Sequence, residues 1–492
     1  MHADLSQFLV AERATLAEAM AQLDRFGTGL LLVVDVNGRL RGTVSDGDLR
    51  RRLLAGHGLE TTVGWAMNPN PVTASPDLTD AALKQIMLDR DVRHLPIVAV
   101  SGRLLRVVQL RDLVLVPLSR PDITDEEIAT VVQVLSTPNL SLGPKLPEFE
   151  RAVANYAGRR HAIAVNSGTS GLHLVVRALG LGAGDEVITT PFSFVASSNC
   201  LLYEGAVPVF VDIEPDTYNI DPSVVEAAIT PRTRAILAVD VFGQPARYDA
   251  LDAIARRHGL RVISDCCESI GSEYLGRRAG SFGVAGVFAF YPNKQMTTAE
   301  GGIIVTDDDE IARLCRSMRN QGRGEGSSWL VHERLGYNYR LSELHCALGL
   351  AQVRRLDEII DRRAKVAAHY DRLLAGLEAV HRPHIDPAVT RMSWFVYVVR
   401  LAGRFGSPER DRVLADLRSD GIGVNNYFPP IHLQPLYRER FGFGEGAFPV
   451  TERVGRRTIA LPFHNNLSDE QAETVVRRLT SALARLDRGQ PG

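Results

Sequence analysis

The stretch Phe-Ala-Phe-Tyr-Pro-Asn-Lys (288–294) ends on a lysine and continues as Gln-Met-Thr-Thr-Ala-Glu-Gly-Gly-Ile-Ile-Val-Thr (295–306). Its glycine pair lets the backbone pass close to another group, and the β-branched run after the pair predicts a strand. Earlier in the chain, the apolar run Arg-Val-Ile-Ser-Asp (261–265) also predicts a strand, and Asp265 ends it. The sequence therefore offers an amine, Lys294, and a carboxylate, Asp265, at the borders of predicted strands.

Predicted strands and helices alternate from residue 160 to about residue 310. This rhythm favours an α/β fold with a mostly parallel sheet that is covered by helices on both faces. Ligands of such sheets bind beyond the carboxyl ends of the strands, where Asp265 and Ser167 are expected. The predicted strands are Ala162–Val165, Glu186–Thr190, Val207–Val211, Ala235–Val241 and Arg261–Asp265, and the predicted helices are Gly171–Leu179, Ser197–Tyr203 and Ala250–His258.

An amine and a carboxylate in these places are the pair that an enzyme needs to run carbanion chemistry through pyridoxal phosphate (PLP). The Lys294 amine would bond the aldehyde of the cofactor, and Asp265 would keep the pyridine nitrogen protonated so that the ring accepts electrons. Taken alone, an aspartate at a strand end is usually a cap or turn residue, and a lysine is usually solvated. The surrounding block favours the catalytic reading of both.

The block around Lys294 resembles the signature of the DegT/DnrJ/EryC1/StrS family, the sugar-nucleotide aminotransferases of fold type I. Typical members read Phe-Ser-Phe-x-Pro-x-Lys, followed by Thr-x-Gly-Glu-Gly-Gly. Ala289 departs from this pattern where many members have a serine that touches the cofactor phosphate, and Ala299 departs from it where glycine is usual. The resemblance implies a PLP-dependent transferase with a large domain of the kind described above and a smaller C-terminal α/β domain.

Asn-Ser-Gly-Thr-Ser-Gly (166–171) follows a predicted strand and opens a predicted helix. The first turn of a helix has unpaired N–H groups and a partial positive charge, which together favour a phosphate. A plain Ser/Thr helix cap is the structural alternative. With Asp265 and Lys294 in place, Gly168, Thr169 and Ser170 are predicted to hold the cofactor phosphate.

Three further cofactor contacts follow from the family resemblance. Phe194 aligns with an aromatic residue that stacks on the pyridine ring, although a core phenylalanine is the alternative. Glu268 occupies a variable family position near the phenolic oxygen of the cofactor. Asn338 lies in the block Leu335–Leu344, where the family asparagine reaches the cofactor phosphate of the neighbouring subunit. The resemblance thus implies a homodimer with shared active sites.

Substrate contacts are expected from two segments. Arg340 lies in the same block as Asn338, and the rigid loop Tyr-Phe-Pro-Pro-Ile-His-Leu-Gln-Pro-Leu-Tyr (427–437) contains Tyr427 and His432. In relatives the corresponding loop lies near the sugar-nucleotide site, while a structural role for His432 is the alternative. A long helix with an apolar stripe is predicted over Ser342–Leu373. The C-terminal blocks are most similar to the perosamine-synthetase branch of the family.

The first 118 residues contain a duplication that resembles a CBS-domain pair, a module that often binds adenine nucleotides. In each copy a helical stretch, Thr15–Phe26 or Leu78–Asp89, precedes two strands that are joined by Asn37-Gly38 or Ser101-Gly102. CBS nucleotide sites usually carry Gly-x-x-Ser/Thr-x-x-Asp. The first copy fits with Gly42, Ser45 and Asp48, whereas the second has Arg106, Gln109 and Asp112 at these positions. A module for interaction or dimerisation alone is the alternative.

The predicted domains are a CBS pair at 1–117, a PLP-binding large domain at 118–375 and a small C-terminal domain at 376–492. The resemblance implies transfer of the amino group of L-glutamate to a nucleotide-linked keto-sugar, such as GDP-4-keto-6-deoxymannose, for amino-sugar and surface-polysaccharide biosynthesis. One alternative is a PLP-dependent sugar dehydratase, in which histidine replaces the lysine. Another is a catalytically silent nucleotide sensor.

Composition narrows the remaining partners and the compartment. The formal net charge of −2 over 492 residues gives no electrostatic reason to expect binding to nucleic acid or to an anionic membrane. The five cysteines show no metal-ligand spacing, so no metal is predicted. The N-terminus lacks the pattern of a signal peptide, and no apolar run approaches the length of a membrane span. We therefore expect a cytoplasmic protein.

Overall fold

The computed structural model describes residues 5–110, 113, 116–324 and 331–487. The chain divides into two compact units, one of residues 1–116 with 415–422 and the other of residues 117–414 with 423–492. The predicted boundaries at 117 and 375 stay predictions.

The first unit is built from two copies of a helix followed by a β-hairpin. In the first copy the strand order is β1-β2-β3, with β1 parallel to β2 and β2 antiparallel to β3. In the second copy β4 and β5 form an antiparallel pair. The elements are β1 (Leu9–Ala11), α1 (Leu16–Phe26), β2 (Leu30–Val34), β3 (Leu40–Ser45), α2 (Asp46–Leu54), α3 (Val63–Ala66), α4 (Asp80–Asp89), β4 (His94–Val98) and β5 (Leu104–Gln109).

The tips of the two hairpins bind each other. Gly38 and Gly102 adopt φ values of 73° and 78°, which suit glycine in a tight turn. The Leu40 N–H donates to the Gly102 carbonyl over 3.1 Å, and the Leu104 N–H donates to the Gly38 carbonyl over 3.0 Å. A buried cluster joins the two copies below these tips, and it contains Phe8, Leu32, Leu104 and Val107.

The second unit is centred on a seven-stranded sheet with the order β6-β14-β13-β10-β9-β7-β8. Only the pairs that include β14 are antiparallel, so the predicted mostly parallel sheet is confirmed. The elements from its start to β14 are α5 (Asp125–Leu135), α6 (Lys145–Ala157), β6 (His161–Val165), α7 (Gly168–Ala178), β7 (Glu186–Thr189), α8 (Ala196–Leu202), β8 (Val207–Phe210), α9 (Pro222–Val225), β9 (Thr233–Val239), α10 (Tyr248–His258), β10 (Arg261–Asp265), β11 (Glu273–Tyr274), β12 (Arg277–Arg278), β13 (Ala285–Ala289) and β14 (Gly302–Thr306).

Helices cover both faces of this sheet because successive side chains of a strand point to opposite sides. On β6, Ile163 and Val165 belong to the core that contains Leu172 of α7. Ala162 and Ala164 of the same strand belong instead to the core that contains Phe149 of α6. The strands therefore read as continuous apolar runs, as expected for a sheet that is buried on both faces.

The helix that was predicted over Ser342–Leu373 is two helices, so that prediction is wrong. The break falls at Arg355, whose guanidinium donates to Asp122 over 2.8 Å and to Glu127 over 3.1 Å. The remaining elements of the chain are α11 (Asp309–Arg319), α12 (Glu343–Arg354), α13 (Leu356–Leu373), β15 (Val380–His381), β16 (Val389–Arg391), β17 (Tyr397–Leu401), α14 (Ser407–Ser419), α15 (Pro435–Phe441), α16 (Pro449–Gly455), β18 (Thr458–Leu461) and α17 (Asp469–Asp487).

Candidate active site

Asp265 ends β10 in the middle of the large sheet, and the residue is only 4% exposed. Ser197 Oγ donates to its Oδ2 over 2.7 Å, and the Cys267 backbone N–H donates to its Oδ1 over 3.1 Å. A carboxylate has about four acceptor positions. Asp265 is thus fixed by two donors and can still accept another hydrogen bond.

Lys294 lies in the turn after β13, with its side chain only 12% exposed. Its Nζ is 3.4 Å from Oε1 of Glu268 and 3.9 Å from the centroid of the Phe395 ring. The charges of Lys294 and Asp265 both act on Glu268. The structure therefore brings these two predicted catalytic residues and Glu268 into one site.

Glu268 is itself buried and held in place. The Phe242 backbone N–H donates to its Oε2 over 2.9 Å. Burial raises the pKa of this carboxyl above its ordinary value, while the Lys294 ammonium and the Phe242 N–H oppose the shift. Glu268 therefore holds its proton more tightly than an exposed glutamate does.

Gly168, Thr169 and Ser170 form the first turn of α7, as predicted for a phosphate site. Ser167 caps the helix, because its Oγ accepts the Ser170 N–H over 3.1 Å. The Ser170 hydroxyl donates to Asn166 Oδ1 over 2.7 Å. The Ser170 hydroxyl is thus tied to a neighbour, so the backbone N–H groups of the turn are its natural contribution to an anion site.

Glycine is needed at this turn because other groups approach it closely. A Cβ on Gly168 would lie 2.8 Å from Ala289 Cβ and 2.9 Å from Cys267 Sγ. A Cβ on Gly302 would lie 2.6 Å from the Gly168 nitrogen. Ala289 therefore lies directly beside the predicted phosphate turn.

Phe194 and Asn338 present exposed side chains. The Phe194 ring is 61% exposed, just before α8. Asn338 is exposed as well, and its carbonyl accepts from Asn166 Nδ2 over 3.5 Å, which places this segment beside the α7 N-terminus. Arg340 donates instead to Asn320 Oδ1 over 3.1 Å. Stacking by Phe194 and the reach of Asn338 to another subunit stay predictions.

Tyr427 lies at the Lys294 site, whereas His432 does not. The Tyr427 ring stacks on Phe395 at 6.4 Å and 12°, and burial together with the Glu268 charge raises the pKa of its phenol. His432 is 0% exposed, 3.2 Å from Glu452 and packed edge-on against Phe448. These contacts place His432 in the core, which favours the alternative that its role is structural.

Three contributors to the site were not identified from the sequence. Ser197 donates to Asp265, Phe395 contacts the Lys294 ammonium, and Arg363 donates to the backbone carbonyls of Trp394 and Phe395. Ser197 begins a helix that the sequence predicts, but Ser193 and Ser198 lie close by and the sequence does not distinguish among the three serines. No local pattern distinguishes the other two residues.

In the first unit, Ser45 and Asp48 form a capping box at the start of α2. The Ser45 N–H and hydroxyl donate to Asp48 Oδ2 over 2.8 and 2.6 Å, and the Asp48 N–H donates back to Ser45 Oγ over 3.2 Å. Burial opposes ionisation of Asp48, but hydrogen bonds from Ser45 and Arg51 hold its pKa below the ordinary value. These contacts give both residues a structural role.

Gly42 of the same motif packs closely against the segment after α3. A Cβ there would lie 2.6 Å from the Asn68 carbonyl oxygen. Asp112, the position that the second copy shares with the motif, lies outside the described residues. The nucleotide contacts of Gly42, Ser45 and Asp48 stay predictions.

The residues around Lys294 fit PLP. The Lys294 amine suits an aldehyde, the buried Asp265 carboxylate with spare acceptor capacity suits a pyridinium, and the backbone N–H groups of the first turn of α7 suit a phosphate. No cluster of three or more metal-ligating side chains occurs within the described ranges. None of the helices in the described part of the chain is both long and apolar enough to cross a membrane.

Comparison with known proteins agrees with this geometry. Residues 121–480 match the DegT/DnrJ/EryC1/StrS aminotransferase family, and residues 7–55 and 62–119 match the CBS domain. GDP-perosamine synthase of Caulobacter vibrioides is 38% identical over 376 residues, which cover 76% of this chain and 100% of that protein. The spore coat polysaccharide biosynthesis protein SpsC of Bacillus subtilis is 37% identical over 370 residues, which cover 73% of this chain and 95% of that protein.

A solved structure supports the same assignment. The crystal structure of DesV from S. venezuelae has a TM-score of 0.69 at 37% identity and covers 73% of this chain and 95% of its own. Both the sequence family and the fold therefore extend over nearly the whole second unit. The chain belongs to the DegT/DnrJ/EryC1/StrS aminotransferase family, as a PLP-dependent sugar aminotransferase whose sequence also carries a CBS pair.

Proposed function

We propose that this enzyme moves the amino group of L-glutamate to a nucleotide-linked 4-keto-6-deoxyhexose such as GDP-4-keto-6-deoxymannose. The product would serve amino-sugar and surface-polysaccharide biosynthesis. The observation that carries the aminotransfer is the Lys294 amine, 3.4 Å from Glu268 in the site that Asp265 completes. The choice of sugar is supported by the likeness to GDP-perosamine synthase over the whole length of that relative.

Bound PLP would supply an aldehyde for the amino group and a ring that accepts electrons. Asp265 would keep a proton at the pyridine nitrogen, and its burial would strengthen this charge interaction because little water screens it. The free Lys294 amine would act as the general base that removes the proton from the α-carbon of the amino donor and as the general acid that gives it up again in the next step. Glu268 and Phe395 restrict the positions of the Lys294 amine by their contacts with it.

The two alternatives, a sugar dehydratase and a silent nucleotide sensor, can each be distinguished from an aminotransferase. A sugar dehydratase of this family would have histidine in place of Lys294. A silent nucleotide sensor would show no visible cofactor absorption, whereas a lysine that is bonded to PLP gives a band that borohydride removes. The Asp265 and Lys294 pair favours the enzyme.

The test is incubation of the purified full-length chain with L-glutamate and GDP-, dTDP- or UDP-linked keto-sugars. We expect 2-oxoglutarate and an amino-sugar nucleotide, detected by mass spectrometry, with the GDP-linked substrate. Lys294→Ala should abolish both products, while Lys365→Ala, on an exposed position of α13, should not. Turnover with dTDP- or UDP-linked sugars alone would refute the proposed carrier, and full activity of Lys294→Ala would refute the mechanism.

We also propose a homodimer with shared active sites. An exposed apolar stripe on α5, formed by Ile128, Val132 and Leu135, supports it, as does the exposed side chain of Asn338. If Asn338 serves the partner's cofactor, Lys294→Ala and Asn338→Ala chains should each be inactive. Mixed after denaturation and refolding, they should recover up to about a quarter of wild-type activity, since one site of each mixed dimer is complete. Absence of recovery would count against sharing.

The CBS pair is proposed to bind an adenine nucleotide at Gly42, Ser45 and Asp48. Support comes from the family match and from the Asp48 carboxylate at the start of α2. Because Asp48 also caps α2, its substitution lowers stability on its own. The diagnostic quantity is therefore the nucleotide-induced shift in melting temperature. A nucleotide concentration of a hundred times Kd should stabilise the module by roughly 2.7 kcal/mol.

Matched variants and a truncation complete this test. The shift should vanish in Asp48→Asn and persist in Asp46→Ala, which changes an exposed neighbour that pairs with Arg50. A chain that starts at Leu118 should keep aminotransferase activity and show no nucleotide response. A shift that survives Asp48→Asn, or an inactive but folded truncation, would contradict the proposed module.

A further inference from the structure

The Lys294 ammonium is held between a carboxylate and an aromatic face. Its Nζ lies 3.4 Å from Glu268 Oε1 and 3.9 Å from the centroid of the Phe395 ring, which is buried. A cation within about 6 Å of a ring centroid is attracted by the negative face of the ring, more so away from water. Phe395 therefore stabilises the protonated amine.

The Phe395 ring is fixed through its backbone. Trp394 has a φ of 56°, a left-handed conformation that is strained for a bulky residue. The buried Arg363 guanidinium donates to the Trp394 carbonyl through Nε and to the Phe395 carbonyl through Nη2, each over 2.7 Å. Asn465 Oδ1 accepts from its Nη1 over 3.0 Å, so the guanidinium itself is oriented.

Glu268 is fixed in a parallel way. The N–H that binds its Oε2 belongs to Phe242, which has a φ of 58°. Both partners of the ammonium thus depend on an aromatic residue in a left-handed conformation. Such strain persists only where surrounding contacts over-determine the geometry, and it clusters at functional sites.

We propose that Glu268 and Phe395 form a resting place for the Lys294 ammonium whenever that amine is not bonded to the cofactor, and that Arg363 is a positioning residue that acts through Phe395. A lysine side chain is a flexible four-carbon stem with rotatable bonds, so its amine would otherwise sample many positions. Holding Nζ in one place keeps the amine within reach for its return. The inference rests on the aminotransferase activity and is independent of the sugar.

The test measures the proton affinity of the free amine rather than turnover. Full-length protein is loaded with pyridoxamine phosphate, which leaves the lysine amine free, and is pulse-labelled with acetic anhydride across a pH series. Mass spectrometry of the Lys294 peptide gives the midpoint pH of acylation. In Phe395→Leu this midpoint should fall by about half a unit to one unit, since the ring no longer favours the ammonium.

Two controls separate the ring from general packing. Phe395→Tyr keeps an aromatic face and should restore the wild-type midpoint. Phe405→Leu alters another buried phenylalanine, which has the Arg404 guanidinium 4.4 Å from its ring centroid, and should leave the Lys294 midpoint unchanged. An unchanged or higher midpoint in folded Phe395→Leu overturns the resting place.

Arg363→Lys tests the positioning role. The midpoint should move in the same direction as in Phe395→Leu, by a smaller amount. If that variant does not fold, Asn465→Ala loosens the guanidinium while leaving it present, and the same shift is expected. A wild-type midpoint in whichever of these variants folds overturns the role of Arg363.

Discussion

Ser197 Oγ donates a 2.7 Å hydrogen bond to Oδ2 of Asp265. Ser193 Oγ lies 2.7 Å from the same serine oxygen, which continues the contact into the loop that carries Phe194. Both Ser197 and Asp265 are buried. The carboxylate is therefore oriented by the protein itself.

Ser197→Ala should lower kcat by about tenfold while the protein stays folded. A hydrogen bond to a charged group is worth about 1.5–3 kcal/mol, and only part of that is specific to the charged ring in the transition state. Steady-state kinetics would measure the loss. Ser198→Ala is the matched control, because the Ser198 hydroxyl donates to the Val195 carbonyl instead. Equal effects of both variants would contradict a specific role.

Asp265→Asn should cost about a hundredfold or more in kcat and leave PLP bound. The amide cannot supply the charge that stabilises a protonated pyridine, while the α7 turn with Gly168 is untouched. Cofactor content by absorbance and turnover would be measured on the same sample. A folded variant without cofactor would mean that Asp265 mainly anchors PLP.

Ala289→Ser should tighten PLP binding by about fivefold, since one added hydrogen bond is worth about 1 kcal/mol. The reason is the position of Ala289 beside Gly168 at the α7 N-terminus. Loss of PLP during dialysis would be followed by absorbance. Ala178→Ser, at the other end of α7, should change nothing. Unaltered retention in Ala289→Ser would show that the hydroxyl does not reach the phosphate.

Ala299→Gly should raise the free energy of unfolding by up to about 1 kcal/mol. Ala299 is exposed and has a φ of 67°, which costs an L-residue about 1–2 kcal/mol and glycine little, although glycine also loses more chain entropy on folding. Urea unfolding would measure the change. Ala129→Gly, at an exposed position inside α5, should instead lower stability by about 1 kcal/mol. The same sign in both variants would refute the backbone argument.

Asp240→Asn should make stability less dependent on pH. Asp240 is buried, accepts from Ser269 and Tyr248, and burial raises its pKa from 3.8 to about 6. Because the folded chain holds this proton more tightly, wild-type stability falls as the pH rises from about 4 to 6, by roughly 3 kcal/mol in all. Asparagine cannot ionise, so the variant should gain relative to wild type over that window.

Urea unfolding at pH 5.0 and 7.5 would test the Asp240 effect. The facing groups of Tyr248 and Cys266 stay protonated, since burial raises the pKa of each well above its usual value. The variant should be more favoured over wild type at pH 7.5 than at pH 5.0. A constant difference would show that Asp240 does not titrate in the folded chain.

Local pattern predicted the sheet well. The run 261–265 is β10 with the predicted bounds, and Ala162–Val165 differs from β6 by one residue, because strands that are buried on both faces are short apolar runs with polar neighbours. The helix over Ser342–Leu373 was predicted as continuous since its apolar stripe is continuous. Arg355, at the break, pairs with Asp122 and Glu127, which lie far away in sequence and are not visible in the local pattern.

The residues of the site likewise fall into those that the local sequence pattern identifies and those that only tertiary packing brings together. Gly168, Asp265 and Lys294 follow strands and could be recognised from their place in the local pattern. Phe395 and Arg363 lie on other elements and meet Lys294 only through tertiary packing. His432 was ambiguous because a Pro-rich loop gives no sign of which side chains are buried.

The two hairpin tips of the first unit constrain each other's turn length. Each tip supplies the acceptor for the other's N–H, Gly102 for Leu40 and Gly38 for Leu104. An insertion in either turn would leave unpaired backbone groups in both halves and open the cluster around Phe8 and Leu32. The lengths of the two turns are therefore coupled by this mutual pairing, whereas the Gly42, Ser45 and Asp48 motif does not take part in it and is complete in the first copy alone.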